Sequence, residues 1–476
     1  MASRSKTYPE LHALPQLLHE SLYVGIDIGK MRHVAGFVSK TLLERHDRFE
    51  ACPAFVFAQS REGFRSLIER IQSLAPLEQV YAILEHTGHY HRALEQYLLE
   101  LDITVYRIHV QKRPAGLTKT DKRDALGLAN TLYAQLELGV QVADKTQLVR
   151  RAVPPTETAA QLAGLTRHRY ELVQESTQRK NKLTSICDEV FPEFATLFKD
   201  PNREVALAIR EKFPTPQVIA TASISALREI RIGRHPSDAK LLDLQRLASQ
   251  SIGMKDPARL RGLIFESNQL IKELKLIQQH LQQLEAEIES IVERSREGQI
   301  LISIGIGPIS AATIIATIGH IANFSKPSEL RSYFGWAPVE DQTGISRDRV
   351  SLTPRGSRIM KRTIYLTVWQ LLRHHDSEWA KLYERLVPRM CRYDERTQAY
   401  VGRGKALGRI AGQLIGMIYA LLRKDYERLS HLAPGAKPPD PMLYDPEIHR
   451  RHRAGEYCSL KPGTRPRSLI HQVPKA

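Results

Sequence analysis

Four acidic residues in this 476-residue chain stand where carboxylate chemistry could use them. Asp27 follows the apolar run that opens YVGIDIGKMRHVAGF, residues 23–37. Glu85 closes YAILE, and Asp121 and Asp124 sit in KTDKRDALGLAN. Taken alone, Asp27 suits a metal ligand, a phosphate-binding ATPase turn, or the plain end of a strand. Asp121 and Asp124 are spaced i, i+3, so a helix starting near Thr120 puts both on one face. Two strand-end acids facing such a pair repel one another and raise their own pKa values unless cations sit among them. Carboxylate oxygens are ligands that Mg²⁺ accepts. Two such ions can stabilise both the attacking and the leaving oxygen of a phosphodiester. Each acid also has a blander reading. An Asp after a strand is often a turn residue, and acids at a helix start complement its dipole.

The elements that must position these acids can be read from hydrophobic periodicity. Strands are expected at 22–28, 33–39, 79–85 and 103–109, and amphipathic helices at 60–74 and 89–101. The first two strands are close enough for a hairpin, and the later strand–helix–strand suits a parallel crossover. The fold class is therefore an α/β N-terminal domain, and the chain turns helical from about 155. Residues 256–294 carry a heptad seam: Leu263, Leu270, Ile277, Leu284 and Ile291, with Leu274, Leu281 and Ile288 between. Asp256-Pro257 is a fitting N-cap and first-turn start. The best partner is 156–188, whose seam is broken by Arg169, Ser176 and Arg179; pairing within one chain or between two stays open.

Composition points to a polyanionic partner. Lys and Arg total 69 against 52 acids, a net charge of +17. Cys52, Cys187, Cys391 and Cys458 are far apart and form neither a disulfide framework nor a zinc module. HTGHYH, with His86, His89 and His91, lacks cysteines to support zinc. The N-terminus has no apolar signal core, so a cytoplasmic protein is expected. Residues 300–325 carry no formal charge, yet Gly305, Gly307, Pro308 and Gly319 argue for two buried helices and a tight turn, not a membrane span.

GIDIGK, ILEHTGHY and KTDKRDA together resemble the DEDD motifs of insertion-sequence transposases of the IS-one-ten family, related to Piv-type DNA invertases. Thr87, Gly88 and Tyr90 also match the pattern around the glutamate. The resemblance implies a RuvC-like, ribonuclease H-type domain in which Asp27, Glu85, Asp121 and Asp124 hold two Mg²⁺ ions. It further implies a DNA recombinase guided by a structured bridge RNA. Its partners are element and target DNA, and it works as a homo-oligomer, dimer or tetramer, joined by the coiled coil.

A second block, ELRSYFGWAPVEDQTGISRDRVSLTPRGSRIMKRTIY, resembles the family's C-terminal motif. The family's catalytic serine falls on Thr343, and Ser346 lies three residues later. Threonine carries the needed hydroxyl, but its β-methyl restricts χ1. Thr343 as nucleophile, Ser346 in its place, or impaired strand exchange remain the alternatives. Arg347, Arg349, Arg355, Arg358, Lys361 and Arg362 form a basic patch suited to phosphate contacts, and Thr353-Pro354 is the expected start of the helix that bears the last of them. LISIGIGPISAATIIATIG resembles a helix–hairpin–helix, with an ordinary core hairpin as the alternative.

The expected organisation is a flexible arm over 1–20, a RuvC-like catalytic domain over 21–150, and coiled-coil helices over 151–296 with a helical insertion at about 190–255. A helical transposase domain over 297–430 and a basic, Pro-rich, poorly ordered tail over 431–476 follow. Two rival functions remain: a domesticated, non-catalytic nucleic-acid-binding protein, and an actin/Hsp70-like ATPase or sugar kinase.

Overall fold

The computed structural model describes residue 17 and residues 19–85, 88–108, 120–139, 149–230, 232, 236–343, 347–374, 377–433 and 435–447. The chain divides after Pro154 into two compact units.

The first unit is built on a mixed sheet. Its elements are β1 (Leu22–Asp27), β2 (Arg32–Val38), α1 (Lys40–His46), β3 (Ala54–Ala58), α2 (Arg61–Gln72), β4 (Val80–Glu85), α3 (His91–Glu100), β5 (Thr104–Ile108), α4 (Asp121–Leu136) and β6 (Val149–Arg151). The spatial order is β3-β2-β1-β4-β5-β6. β1 and β2 form the expected hairpin, and β1, β4 and β5 run parallel. β3 and β6 extend the sheet antiparallel at its edges. Val24, Ile26, Phe37, Ile83 and Leu84 are fully buried or nearly so, at the centre of this unit's core.

The second unit opens on α5 (Glu157–Val190). Five short helices follow: α6 (Phe194–Leu197), α7 (Glu204–Lys212), α8 (Pro216–Thr221), α9 (Ile224–Arg228) and α10 (Asp238–Ser249). They gather around Phe191, Phe194, Leu241 and Leu244. α11 (Pro257–Arg294) returns along α5, with Asp256 accepting from the Ala258 N–H as the expected cap. Arg169 pairs with Glu285, Arg179 with Glu273, Lys182 with Glu266 and Arg259 with Glu189, which fixes the two helices antiparallel. α5 is thus the partner that the α11 seam meets within this chain, and Leu274, Ile277 and Ile288 of that seam are buried. Two of the residues that interrupt the seam of α5, Arg169 and Arg179, are among those that reach across.

The rest of the second unit comprises α12 (Arg296–Ser303), α13 (Pro308–Ile318), α14 (Pro327–Tyr333), β7 (Pro338–Thr343), β8 (Arg347–Leu352), α15 (Arg358–Arg373), α16 (Glu378–Met390), β9 (Arg392–Asp394), β10 (Ala399–Val401) and α17 (Gly404–Ser430). α17 is long and apolar enough to cross a membrane, and it buries Ile410, Leu414 and Ile418 in this unit's core. α12 and α13 are the expected buried helices; at their turn, Gly305 lies against Leu371 and Gly307 against Gln370, both on α15. That contact favours a core hairpin.

Two expectations need correction. α15 does not start at Thr353-Pro354: Gly356 takes φ +93°, outside helical space, so Ser357 caps a helix beginning at Arg358. Part of the tail is also held down. Arg296 bridges Asp425 and donates to the Pro439 carbonyl, Met442 N–H donates to Asp425, and Tyr444 N–H donates to Ser303 Oγ. The basic run His449–Arg453 lies outside the described residues, as does most of the N-terminal arm.

Candidate active site

The position of α4 follows from two glycines. Gly25 of β1 pairs with Gly36 of β2, and α4 lies directly on both. A Cβ on Gly25 would stand 2.1 Å from the Ala125 carbonyl oxygen, and one on Gly36 2.7 Å from Leu126 N. On the same face of β1, two residues earlier, Tyr23 donates to Glu137 just past the end of α4 and meets Tyr133 edge-on. Burial and the Glu137 hydrogen bond push the Tyr23 phenol well above its ordinary pKa. Along this face Tyr23 thus meets the C-terminal end of α4 and Gly25 meets its middle. Asp27, two residues further, lies on the same face, because side chains two apart share a strand face.

Glu85 joins the same edge. Ile26 pairs with Leu84, so Asp27 and Glu85 end neighbouring parallel strands, whose backbones lie about 4.8 Å apart. Tyr23 stacks on Tyr81 at 5.6 Å, which shows that the paired residues of β1 and β4 share α4's face. Thr120 caps α4 by accepting from Arg123 N–H, placing Asp121 and Asp124 in its first turn as expected. Asp124 is 6% exposed and Asp121 lies open to solvent. Asp27 and Glu85 thus share one end and one face of the sheet, and Asp121 and Asp124 lie in the first turn of the helix packed on that face. Among the described residues, no three His, Cys, Asp or Glu side chains stand together as a formed metal cage. The donor set is all oxygen, which suits a hard cation such as Mg²⁺.

A polar chain that the sequence reading did not single out ties the loops behind these acids. His33 is fully buried on β2. Gly29 N–H donates to His33 Nδ1 at 3.2 Å, so the ring proton sits on Nε2, which donates to Gln59 Oε1. Gln59 Nε2 in turn donates to the Tyr90 carbonyl at 3.1 Å, and Gln59 N–H to the Met31 carbonyl at 3.0 Å. Burial lowers the His33 pKa, against a smaller opposing effect of its Gln59 hydrogen bond. The histidines of HTGHYH diverge: His91 is buried beside Glu95, His89 is exposed, and His86 lies outside the described residues, as does Thr87.

The second block lies in the second unit. Thr343 ends β7 opposite Arg347, the first residue of β8, and Asp341 lies opposite Arg349 in the backbone register. Ser346 lies outside the described residues. Gly335 and Gly356 pack back to back, a Cβ on Gly356 standing 2.6 Å from Gly335 Cα. Arg355, Arg358 and Arg362 are exposed around this contact. Lys361 is engaged locally: its Nζ donates to the Thr353 carbonyl at 2.6 Å. Two further basic residues join this region. The Arg331 guanidinium sits over Gly412, which has no Cβ to obstruct it, and donates to the Trp336 carbonyl. Burial, with the neighbouring Arg409 charge, lowers the Arg331 pKa. They escaped the sequence reading because they lie outside the contiguous Arg cluster.

Comparison with known proteins defines the class first. Residues 24–192 match a family profile described as a transposase, of the DEDD IS110 type. Residues 299–384 match one described as "Transposase IS116/IS110/IS902 family", and the two together cover more than half of the chain. The chain belongs to this family of insertion-sequence transposases, enzymes that act on DNA. It is 23% identical over 313 residues to the "Insertion element IS110 uncharacterized 43.6 kDa protein" of Streptomyces coelicolor, spanning 65% of this chain and 71% of that one. It is 21% identical over 362 residues to the "Insertion element IS116 uncharacterized 44.8 kDa protein" of Streptomyces clavuligerus, spanning 73% and 84%.

Proposed function

We propose that the protein is a recombinase that cuts and exchanges DNA strands through a covalent protein–DNA link, with Asp27, Glu85, Asp121 and Asp124 holding Mg²⁺. One observation carries this reading: α4, whose first turn holds Asp121 and Asp124, is seated on Gly25 and Gly36 of the same sheet whose neighbouring strand ends carry Asp27 and Glu85. A hairpin followed by parallel strands, in the order β3-β2-β1-β4-β5, supports a RuvC-like core.

When bound, Mg²⁺ would neutralise charge on the scissile phosphate and its departing oxygen. The strand ends fix two of its carboxylates and the capped helix fixes the other two. The hydroxyl of Thr343 attacks phosphorus, with Ser346 as the alternative nucleophile. The O–P bond forms as the P–O3′ bond breaks. The proton lost by the hydroxyl balances the one gained by the departing O3′, and that 3′-OH later attacks the protein–DNA ester to rejoin a strand. The phosphate bond is conserved throughout, so no energy source is needed. Arg347, Arg349, Arg355, Arg358 and Arg362 contact backbone phosphates on either side of the break, while Lys361 steadies the loop beneath them.

Guidance by a bridge RNA and assembly of protomers into a homo-oligomer with a composite site rest on the family resemblance. The net charge of +17 supports a protein that holds two nucleic acids at once. Nucleoid association follows from the same reading. A domesticated binding protein is the second reading, favoured by threonine where the family has serine.

The test is to incubate the protein with element-end DNA, its flanking RNA and Mg²⁺, and to resolve products under denaturing conditions. A Mg²⁺-dependent protein–DNA adduct is expected. RNA binding with no adduct at any Mg²⁺ concentration would establish the domesticated reading instead.

A further inference from the structure

We infer that His33 and Gln59 are positioning residues for the carboxylate site, an inference that rests on the metal-binding reading above. β1 runs into a loop at residues 28–31, and beyond β4 the described residues 88–90 form a turn that ends at Tyr90, the N-cap of α3. One hydrogen-bonded chain joins those loops, running from Gly29 N–H through His33 and Gln59 to the Tyr90 carbonyl. The Gln59 backbone adds a further tie to Met31. Gln59 directly follows β3 and contributes no acid itself, so it acts as a strut between the two loops.

The chain is chemically specific. His33 is at 0% exposure, with Phe57 and Phe64 against its ring. An apolar residue would fill that space at lower desolvation cost, because a buried polar group is unfavourable unless it is hydrogen-bonded. Its two nitrogens are both used, one accepting and one donating, which fixes ring orientation and tautomer together. Gly29 is held equally closely, since a Cβ there would stand 2.3 Å from the Arg32 carbonyl oxygen. The result is a rigid turn directly after Asp27, tied to Tyr90 at the start of α3. Carboxylates on strand ends can share a cation only if those ends keep their spacing, and groups that orient metal ligands act on affinity from outside the ligand set.

The test uses the full chain and two half-substitutions. His33→Asn keeps an acceptor near the Nδ1 position and loses the reach to Gln59. His33→Gln keeps a donor near the Nε2 position and loses the acceptor for Gly29. Gln59→Leu cuts the chain on its other side. Three quantities are measured: amide hydrogen exchange over residues 28–31 and 88–90 without metal, the rise in melting temperature on adding Mg²⁺, and the Mg²⁺ concentration giving half-maximal DNA cleavage. In each variant we expect faster exchange in these loops, a smaller Mg²⁺-induced rise, and a roughly tenfold or greater increase in the Mg²⁺ requirement. DNA affinity without metal should be unchanged. Folded variants with wild-type exchange and a wild-type Mg²⁺ requirement would overturn the assignment. Asp27→Asn separates the two claims: if it leaves the wild-type Mg²⁺ response intact, the metal-site reading has failed, whatever the exchange at 28–31 shows.

Discussion

Gly25 and Ala125 touch backbone to backbone: a methyl group on Gly25 would lie 2.1 Å from the Ala125 carbonyl oxygen. Neither the strand nor the helix can give way without moving an acid. Gly25→Ala should therefore destabilise the first unit by about 1–3 kcal/mol or more and impair cleavage at the same time. Gly127, two residues along α4 and so on another face of it, has no neighbour within 4 Å of a built Cβ. Gly127→Ala should instead stabilise by about 0.5–1 kcal/mol and leave cleavage intact. Thermal melts and cleavage assays on the pair check both.

Asp27→Asn and Asp124→Asn should each abolish the protein–DNA adduct while keeping wild-type circular dichroism and RNA binding. Asparagine keeps the shape and removes the charge a cation needs. Recombination retained in either variant would remove that residue from the metal set.

Thr343→Ala should eliminate the adduct, and Ser346→Ala should leave it. The reverse outcome moves the nucleophile to Ser346, and an adduct surviving both substitutions excludes the pair. Mass spectrometry of the nuclease-trimmed adduct reads the linked residue directly.

Asp425 is 4% exposed and receives the Arg296 guanidinium and the Met442 N–H. Asp425→Ala leaves the half-buried Arg296 with only the Pro439 and Asp440 carbonyls as acceptors, a change that costs about 1–3 kcal/mol. Residues 435–447 should come loose with it, so limited proteolysis should cut there before the body of the second unit melts.

His320 offers a pH prediction. Its Nδ1 accepts from Ala322 N–H, and its ring meets Tyr426 edge-on at 5.0 Å. Burial lowers its pKa below 6.5, with Arg423 adding to the shift and Glu297 opposing it. The folded chain therefore resists a proton that the unfolded chain accepts. This contribution to stability is full above the unfolded value of 6.5 and shrinks as pH falls below it. Melting temperature should drop on acidification through that window, and His320→Asn, which keeps an acceptor for Ala322, should flatten the drop.

Long, strongly patterned elements were legible in the sequence. β1, β2, β4 and β5 fall within a residue or so of the expected spans, and α4 begins at Asp121 behind Thr120 as its cap suggests. The heptad of α11 correctly demanded a long partner. Short edge strands were not legible. Ala54–Ala58 sits directly after a proline, and Val149–Arg151 has three residues, two of them arginine, too few to show a period. The start of α15 was misplaced because Thr-Pro is a good local cap, while the left-handed Gly356 that forbids it depends on packing against Gly335. Among the site residues, the acids stood out through order and spacing. His33 and Gln59 did not, because a single histidine in an apolar strand has no sequence neighbour that reveals its partners 4 and 26 residues away.

The antiparallel pair of α5 and α11 also sets a reach. At 1.5 Å per residue, the 34 residues of α5 extend about 50 Å. One end is rooted beside α12 and α13, and the other carries the cluster of short helices around Phe194. The pair is thus a boom of fixed length, with its load at the tip. Removing one heptad from each helix would keep the seam in phase and draw that tip in by about 10 Å. The distance between that cluster and the base of the pair is written in the number of heptads.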